Sequence, residues 1–188
     1  MVRRKIGLLA IVIILIGAGL AFWLSQKDEG ENEMNNKIPS SNLQLSSEAF
    51  ADGAQIPSQY TCKGQNVNPQ LTIANVPAGA KSLALIMHDP DAPAGDWLHW
   101  TLWNITPDTA KIDQNSTPAG AIAGTTDFGK PGYGGPCPPS GTHHYLFDLY
   151  ALDKILDLQS GADRNQLEKA LQGHIVGQTK LTGLFGTE

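Results

Sequence analysis

The sequence predicts a mostly β domain, an antiparallel β-sandwich with a small C-terminal helix, preceded by one N-terminal transmembrane helix. Three observations carry this. Twenty Gly and twelve Pro in 188 residues, against few stretches of helical periodicity, mark a chain of many turns. Three segments rich in apolar and aromatic residues read as strands. Nineteen uncharged residues, Ile6 to Leu24, come directly after the basic cluster Arg3-Arg4-Lys5.

As a helix those nineteen residues span ~28 Å, close to the ~30 Å hydrocarbon core of a bilayer. Trp23 falls at the far end, where an interfacial aromatic belongs. The basic cluster stays cytoplasmic, so the remainder of the chain is expected outside the cytoplasm. A cleaved signal peptide is the alternative, with Gly19-Leu20-Ala21 as a small-residue site, although its usual apolar region is shorter. No Cys stands at the end of the apolar stretch to carry a lipid. Residues 1–24 are thus expected to be a membrane anchor or signal peptide. Residues 25–42, SQKDEGENEMNNKIPSSN, have almost nothing to bury and form a flexible polar linker. The domain proper is residues 43–188.

Within it, Lys81 to Asp89 (KSLALIMHD) is an apolar run ended by the two prolines of DPDAP. Trp97 to Ile105 (WLHWTLWNI) is aromatic-rich and bounded by Gly95 and Pro107. His143 to Leu152 (HHYLFDLYAL) alternates, placing His143, Tyr145 and Phe147 on one face. A long Gly/Pro loop, Gly129 to Thr142, joins the last two. The helix is expected over Asp163 to Gln172: Asp163 caps it, Gln166 completes a capping box, and Gly173 ends it.

Charge excludes one class of function. The chain carries a formal net charge of -5, and residues 43–188 hold eight Lys/Arg against fourteen Asp/Glu. Nucleic-acid binding needs a basic footprint, and none exists. An anion site would have to be a local arrangement on an acidic background.

The polar residues that could build one lie at the ends of the three strands. Asp89 and Asp91 flank Pro90 on a stiff turn. His99 interrupts an aromatic strand. His143 and Tyr145 share a strand face, and the Gly129–Thr142 loop offers backbone N–H groups and close main-chain approach. Imidazole, phenol and amide donors suit phosphate or carboxylate oxygens, and neighbouring aspartates would orient or charge the imidazoles.

Several ordered motifs add a resemblance: YTCKGQNVNP at Tyr60–Pro69, DPDAP at Asp89–Pro93, the His-Trp pair in WLHW, GYGGPCPPSGTHHY at Gly132–Tyr145, LYAL at Leu149–Leu152 and GHIVGQTKLTG at Gly173–Gly183. Together they are similar to the bacterial branch of the phosphatidylethanolamine-binding, Raf-kinase-inhibitor-like family, over the whole domain from about Leu43. The resemblance implies a β-sandwich with a pocket for phosphate-like anions or phospholipid head groups, and inhibition of kinases or proteases by some members. By motif position, Asp89, His99, His143 and Tyr145 would line the pocket, with Gly134 and Gly135 on its rim. Asp91 would either orient a His or complete the turn. His88, His144 and His174 read as structural or exposed. Lys63, Asn68 and Phe185 depart from the family pattern; Phe185 lacks the hydroxyl of the Tyr that closes the pocket in many members.

Three functions compete. The leading one is a non-enzymatic module that binds a small anion (phosphate, acetate or a phospholipid head group), tethered to the membrane and able to engage a protein partner. The second is a hydrolase acting on a phosphorylated or acylated small molecule through the same His and Asp residues. The third is an envelope scaffold with a vestigial pocket. No H-E-x-x-H, C-x-x-C or G-x-S-x-G motif is present; the His and Asp candidates sit on different strands, so spacing decides nothing about a metal, and neither cofactor nor metal is named. Cys62 and Cys137 can pair in an exported domain; a reduced pair, or a Cys137–His143 thiol–imidazole couple, is the alternative.

Overall fold

The computed structural model describes residues 42–186. The expected anchor and all but the last residue of the linker lie outside the described residues. Among the described residues no helix is long and apolar enough to cross a membrane.

Among the described residues, nine strands and one α-helix succeed one another: β1 (Gln44–Ser46), β2 (Ala54–Gln55), β3 (Leu71–Ala74), β4 (Ser82–Asp89), β5 (Trp97–Ile105), β6 (Lys111–Ile112), β7 (Ile122–Ala123), β8 (Thr142–Leu152), α1 (Arg164–Leu171) and β9 (Ile175–Gly186). They form a three-stranded sheet ordered β1-β3-β6 and a six-stranded sheet ordered β2-β9-β8-β4-β5-β7. Every pairing is antiparallel except β2 with β9, which is parallel.

Two hydrophobic clusters place the layers. Leu45, Leu71, Ile73 and Ile112 of the small sheet pack with Leu85, Met87, Trp100, Phe147 and Leu149 of the large one. On the opposite face of the large sheet, Ala84, Ile86, Leu98 and Trp103 pack with Leu156, Leu167 and Leu171. The large sheet is therefore covered on both sides, and all eight residues of β4 are buried. That is why β4 reads as a continuous apolar run, where a half-solvated strand would alternate. Helix α1 begins as expected: Asp163 accepts from the Gln166 N–H, and the Gln166 side chain reaches back to the Asp163 N–H.

The sequence concealed β9, twelve residues long and paired with β8 along its whole length. Gly183 sits on its buried face, where an added Cβ would meet Ile56 and Phe50. The strand's inward positions are thus partly glycine, which erases the alternation expected of a strand.

Candidate ligand pocket

The three central strands converge at one end of the large sheet. The register pairs His88 with Leu146 and Met87 with Phe147, so Asp89, the next residue of β4, falls on the face of β8 that carries His143 and Tyr145. Between Met87 and His88 the β4–β5 ladder slips: Met87 faces Trp100 while His88 faces Leu98. His99 is the extra residue of this β-bulge, a distortion that re-aims a side chain. His99 thereby meets Tyr145 edge-on, ring centroids 5.2 Å apart.

Two imidazoles are tied down through the same ring nitrogen. His143 Nδ1–H donates to Asp89 Oδ2 at 2.7 Å, both side chains being buried. Asp89 Oδ1 accepts from the Asp91 N–H at 2.9 Å, which fixes the carboxylate. His99 Nδ1–H donates to the Gly134 carbonyl at 2.6 Å, and the Gly134 N–H returns a bond to the His99 carbonyl at 2.9 Å. With Nδ1 committed, Nε2 is the nitrogen each ring has left for a ligand. Burial pushes His99 below the ordinary imidazole value, against the opposing pull of its Gly134 hydrogen bond. Near neutral pH its Nε2 is therefore an acceptor.

Tyr145 is fully buried, and its hydroxyl has no hydrogen-bond partner among the described residues. Burial first, and the Asp89 charge second, hold this phenol well above its usual value, so it stays a neutral donor. An unpaired buried hydroxyl is costly unless something completes it.

The Gly-rich loop is clamped onto the segment around residues 60–66. Cys62 and Cys137 are bonded, with Cα atoms 5.4 Å apart. The Cys62 N–H donates to the Pro136 carbonyl, Tyr133 Oη–H to the Tyr60 carbonyl, and the Gly135 N–H to Asn66 Oδ1. A Cβ on Gly135 would lie 2.5 Å from the Tyr60 oxygen, and one on Gly134 would run into the Phe128 ring. Both positions require glycine for close approach.

A cavity of about 390 Å³ opens between these elements, lined by Asp89, His99 and His143 below and by Ala92, Pro93, Ala94, Trp97, Phe128, Cys137, Pro138 and Pro139 around. Three polar side chains at the base of an apolar cup is the form of a small-molecule site.

Known proteins share this domain. The phosphatidylethanolamine-binding protein family model matches residues 46–186. The chain belongs to the phosphatidylethanolamine-binding protein family. A UPF0098 protein of Methanothermobacter thermautotrophicus is 48% identical over 148 residues, covering 76% of this chain and 98% of that one. LppC of Mycobacterium tuberculosis, named as a candidate lipoprotein, is 46% identical over 145 residues, covering 76% of this chain and 72% of its own. The crystal structure of Escherichia coli YbcL, described as a member of the mammalian family, superposes with a TM-score of 0.73 at 31% identity, covering 78% of this chain and 99% of that one.

Of the residues expected to form the family pocket, Asp89, His99 and His143 stand together on the cavity wall. Tyr145 is placed behind them, against His99. Gly134 and Gly135 act through the backbone, as the anchor of His99 and the contact with Asn66. Asp91 lies apart: its carboxylate accepts from the backbone N–H and Nδ1 of His144 at 2.8 and 2.7 Å, with both side chains about half exposed. It ties the DPDAP turn to the start of β8. The His144 hydrogen bonds hold Asp91 below the ordinary carboxylate value. Phe185 pairs opposite His143 in the ladder and is buried in the core between the sheets. Asn68 donates to the Pro69 and Asp113 carbonyls and accepts from the Ser116 N–H, bracing a turn. Cys137 is bonded to Cys62, so the structure offers His143 no thiol partner.

The apolar cup escaped the sequence reading. Trp97, Phe128, Pro138 and Pro139 look like core or turn residues in a linear chain. Only Pro138-Pro139 gave a signal: two adjacent prolines cannot donate to a ladder and mark a rigid edge.

Proposed function

We propose that this domain is a non-enzymatic binding module that takes a small acid, carboxylate or phosphate, between His143 and His99, with neutral His99 Nε2 accepting the acid's own proton. The observation that carries this is the pair of buried imidazoles, each anchored through Nδ1 at 2.7 and 2.6 Å, with Nε2 left to the cavity. Asp89 holds the His143 ring through Nδ1, and a hydrogen bond to an ionised acceptor such as a carboxylate or phosphate is a strong one. The apolar cup would accept the rest of the ligand. The basic cluster before Ile6–Leu24, together with the name of the mycobacterial relative, supports a tether to the outer face of the cytoplasmic membrane, where an occupied pocket could engage a protein partner. The test is calorimetric titration of acetate and phosphate into the protein and into His143→Ala. Loss of one charge-assisted bond should weaken binding by about 1.5–3 kcal/mol, tenfold or more; equal affinity in both proteins would remove His143 from the site.

One observation favours a second reading, hydrolysis. The Asp89–His143 couple has the geometry of an oriented general base. Yet no hydroxyl or thiol nucleophile lines the cavity, so water would have to be the attacking group. Product release from ester or phosphoester substrates, abolished in His143→Ala, would establish that reading in place of the first.

A further inference from the structure

The Gly-rich loop borders a second recess. Cys137, Pro138 and Pro139 line the first cavity, whereas Tyr133 of the same loop lines a separate cleft of about 250 Å³ that shares no lining residue with it. Trp100 of β5 and Tyr133 give this cleft its aromatic surface, their rings edge-on at 5.5 Å. Tyr133 Oη–H donates to the Tyr60 carbonyl at 2.7 Å, so the ring is held in place and its hydroxyl is spent inside the domain. The rest of the wall is mostly amide and hydroxyl, from Asn66, Asn68, Asn115, Ser116 and Thr117.

These polar groups stand on a braced frame. Buried Asn68 donates to the Pro69 and Asp113 carbonyls and accepts from the Ser116 N–H, while its own carbonyl takes the Asn115 N–H. Ser116 Oγ–H donates to the Asp113 carbonyl at 2.9 Å. Asn66 and Asn115 both sit in the left-handed region, at φ 57° and 54°, which Asn tolerates better than most residues. What the frame leaves over is the chemistry of the cleft. Asn66 uses its oxygen on the Gly135 N–H at 2.7 Å and keeps two N–H donors. The Asn115 amide and the Thr117 hydroxyl, both on exposed residues, add groups that donate and accept.

No Lys, Arg, His, Asp or Glu lines the cleft, and burial holds the Tyr133 phenol well above its usual value, so it stays neutral. An ion entering here would give up water without meeting a charge. A hydrocarbon would cover the amides and hydroxyls and leave them unpaired. The matching ligand is neutral, carries closely spaced groups that both donate and accept, and has an aliphatic face for the aromatic rings. A sugar ring combines these properties.

We propose that this cleft binds a neutral sugar ring, with Asn66, Asn115 and Thr117 bonding its hydroxyls and Tyr133, backed by Trp100, packing on its C–H face. The site is independent of His143 and His99. The experiment follows the side-chain amide signals of Asn66 and Asn115 and the indole signal of Trp100 by NMR, in isotope-labelled full chain held in a detergent without a sugar head group. The probes are glucose, N-acetylglucosamine, maltotriose, chitotriose and a neutral peptide, N-acetyl-trialanine amide. At least one sugar should shift these signals saturably, and its affinity should be the same in saturating acetate. Asn115→Gly keeps the left-handed backbone and removes the amide, and Thr117→Val keeps the shape and removes the hydroxyl. Each should weaken that sugar about three- to tenfold, the value of one neutral hydrogen bond, with an unchanged melting transition showing that the fold is intact. No saturable shift with any sugar, unaltered sugar affinity in both variants, or displacement of the sugar by acetate would overturn the proposal. A peptide that moves these signals at lower concentration than any sugar would also overturn it and make the cleft a site for extended chain.

Discussion

At the scale of single residues, the site depends on what each imidazole is bonded to. His99 gives its Nδ1 proton to a backbone carbonyl and His143 gives its own to a carboxylate, so each ring is held with Nε2 left for a ligand. Asp89→Asn replaces the carboxylate acceptor by a neutral amide of the same shape. Affinity for carboxylate probes, measured by calorimetric titration, should fall about tenfold, the value of one charge-assisted bond. Unchanged affinity would mean that Asp89 acts by shape alone. The polar residues of the candidate site were legible chiefly through their places in the ordered motifs, Asp89 in DPDAP, His99 in WLHW and His143 in GTHHY; alone, each reads as an ordinary turn or strand residue. The apolar wall was not, since Trp97 lining a cavity and Trp100 filling a core are the same letter with the same neighbours.

At the scale of elements, periodicity carries where a strand is regular and fails where it is not. The limits of β5 match the expected strand residue for residue, yet its bulge at His99 leaves no mark in WLHWTLW. Strand β9 was hidden by its glycines. A third element-level device is a charged staple on the outer face of the large sheet. His88 Nδ1 meets Asp96 at 2.5 Å and Nε2 meets Asp148 at 2.9 Å, while Arg164 of α1 holds Asp96 at 2.8 Å and Glu168 at 2.6 Å. One imidazole thus joins β4, the turn carrying the Ala92–Ala94 wall, β8 and the helix. Burial opposes the charge on His88, but the Asp148 and Asp96 hydrogen bonds outweigh it and raise its value. Burial likewise opposes ionisation of Asp96, and the Arg164 and His88 bonds overcome it and lower the value. The signs define a window. His88 contributes fully below the ordinary imidazole range and loses its contribution as pH rises through its raised folded value; Asp96 contributes above the ordinary carboxylate range and loses its contribution as pH falls through its depressed one. The staple is strongest between about pH 4 and 6.5. His88→Gln should cost about 1.5–3 kcal/mol near pH 6, with the lower end favoured because Asp96 is more than a third exposed and screened. The unaltered protein should melt at lower temperature as pH rises from 6 to 9, and His88→Gln should flatten that decline; parallel pH profiles for the two proteins would exclude His88 as the source.

At the scale of the whole molecule, two expectations concern where the domain resides and what holds it closed. The expectation of a domain outside the cytoplasm rests on the positive charge before Ile6–Leu24. Protease added to intact spheroplasts should therefore remove the domain, and its protection would reverse the orientation. Export would in turn decide the state of the two cysteines, because disulfides persist chiefly in oxidising compartments. The Cys62–Cys137 bond joins positions 75 residues apart in sequence, spanning β3 through β7. Closing a loop of that length restricts the unfolded chain by an amount worth about 4–5 kcal/mol. Within the folded domain the bond adds a covalent tie to the hydrogen bonds from Cys62, Tyr133 and Gly135 that already dock the Gly-rich loop. That loop carries the carbonyl that anchors His99 and the two prolines of the cup wall. Reduction should thus act at two levels: it should lower the melting temperature by several degrees, and it should weaken ligand binding well below the melting transition by letting Pro138 and Pro139 move. Thiol counting on denatured, unreduced protein from the envelope fraction should find no free thiol, and Cys62→Ser with Cys137→Ser should reproduce both effects of reductant. Two free thiols would place the native pair in the reduced state. A double variant that melts earlier yet binds carboxylates as tightly as before would restrict the bond to stability and leave the shape of the pocket to the hydrogen bonds.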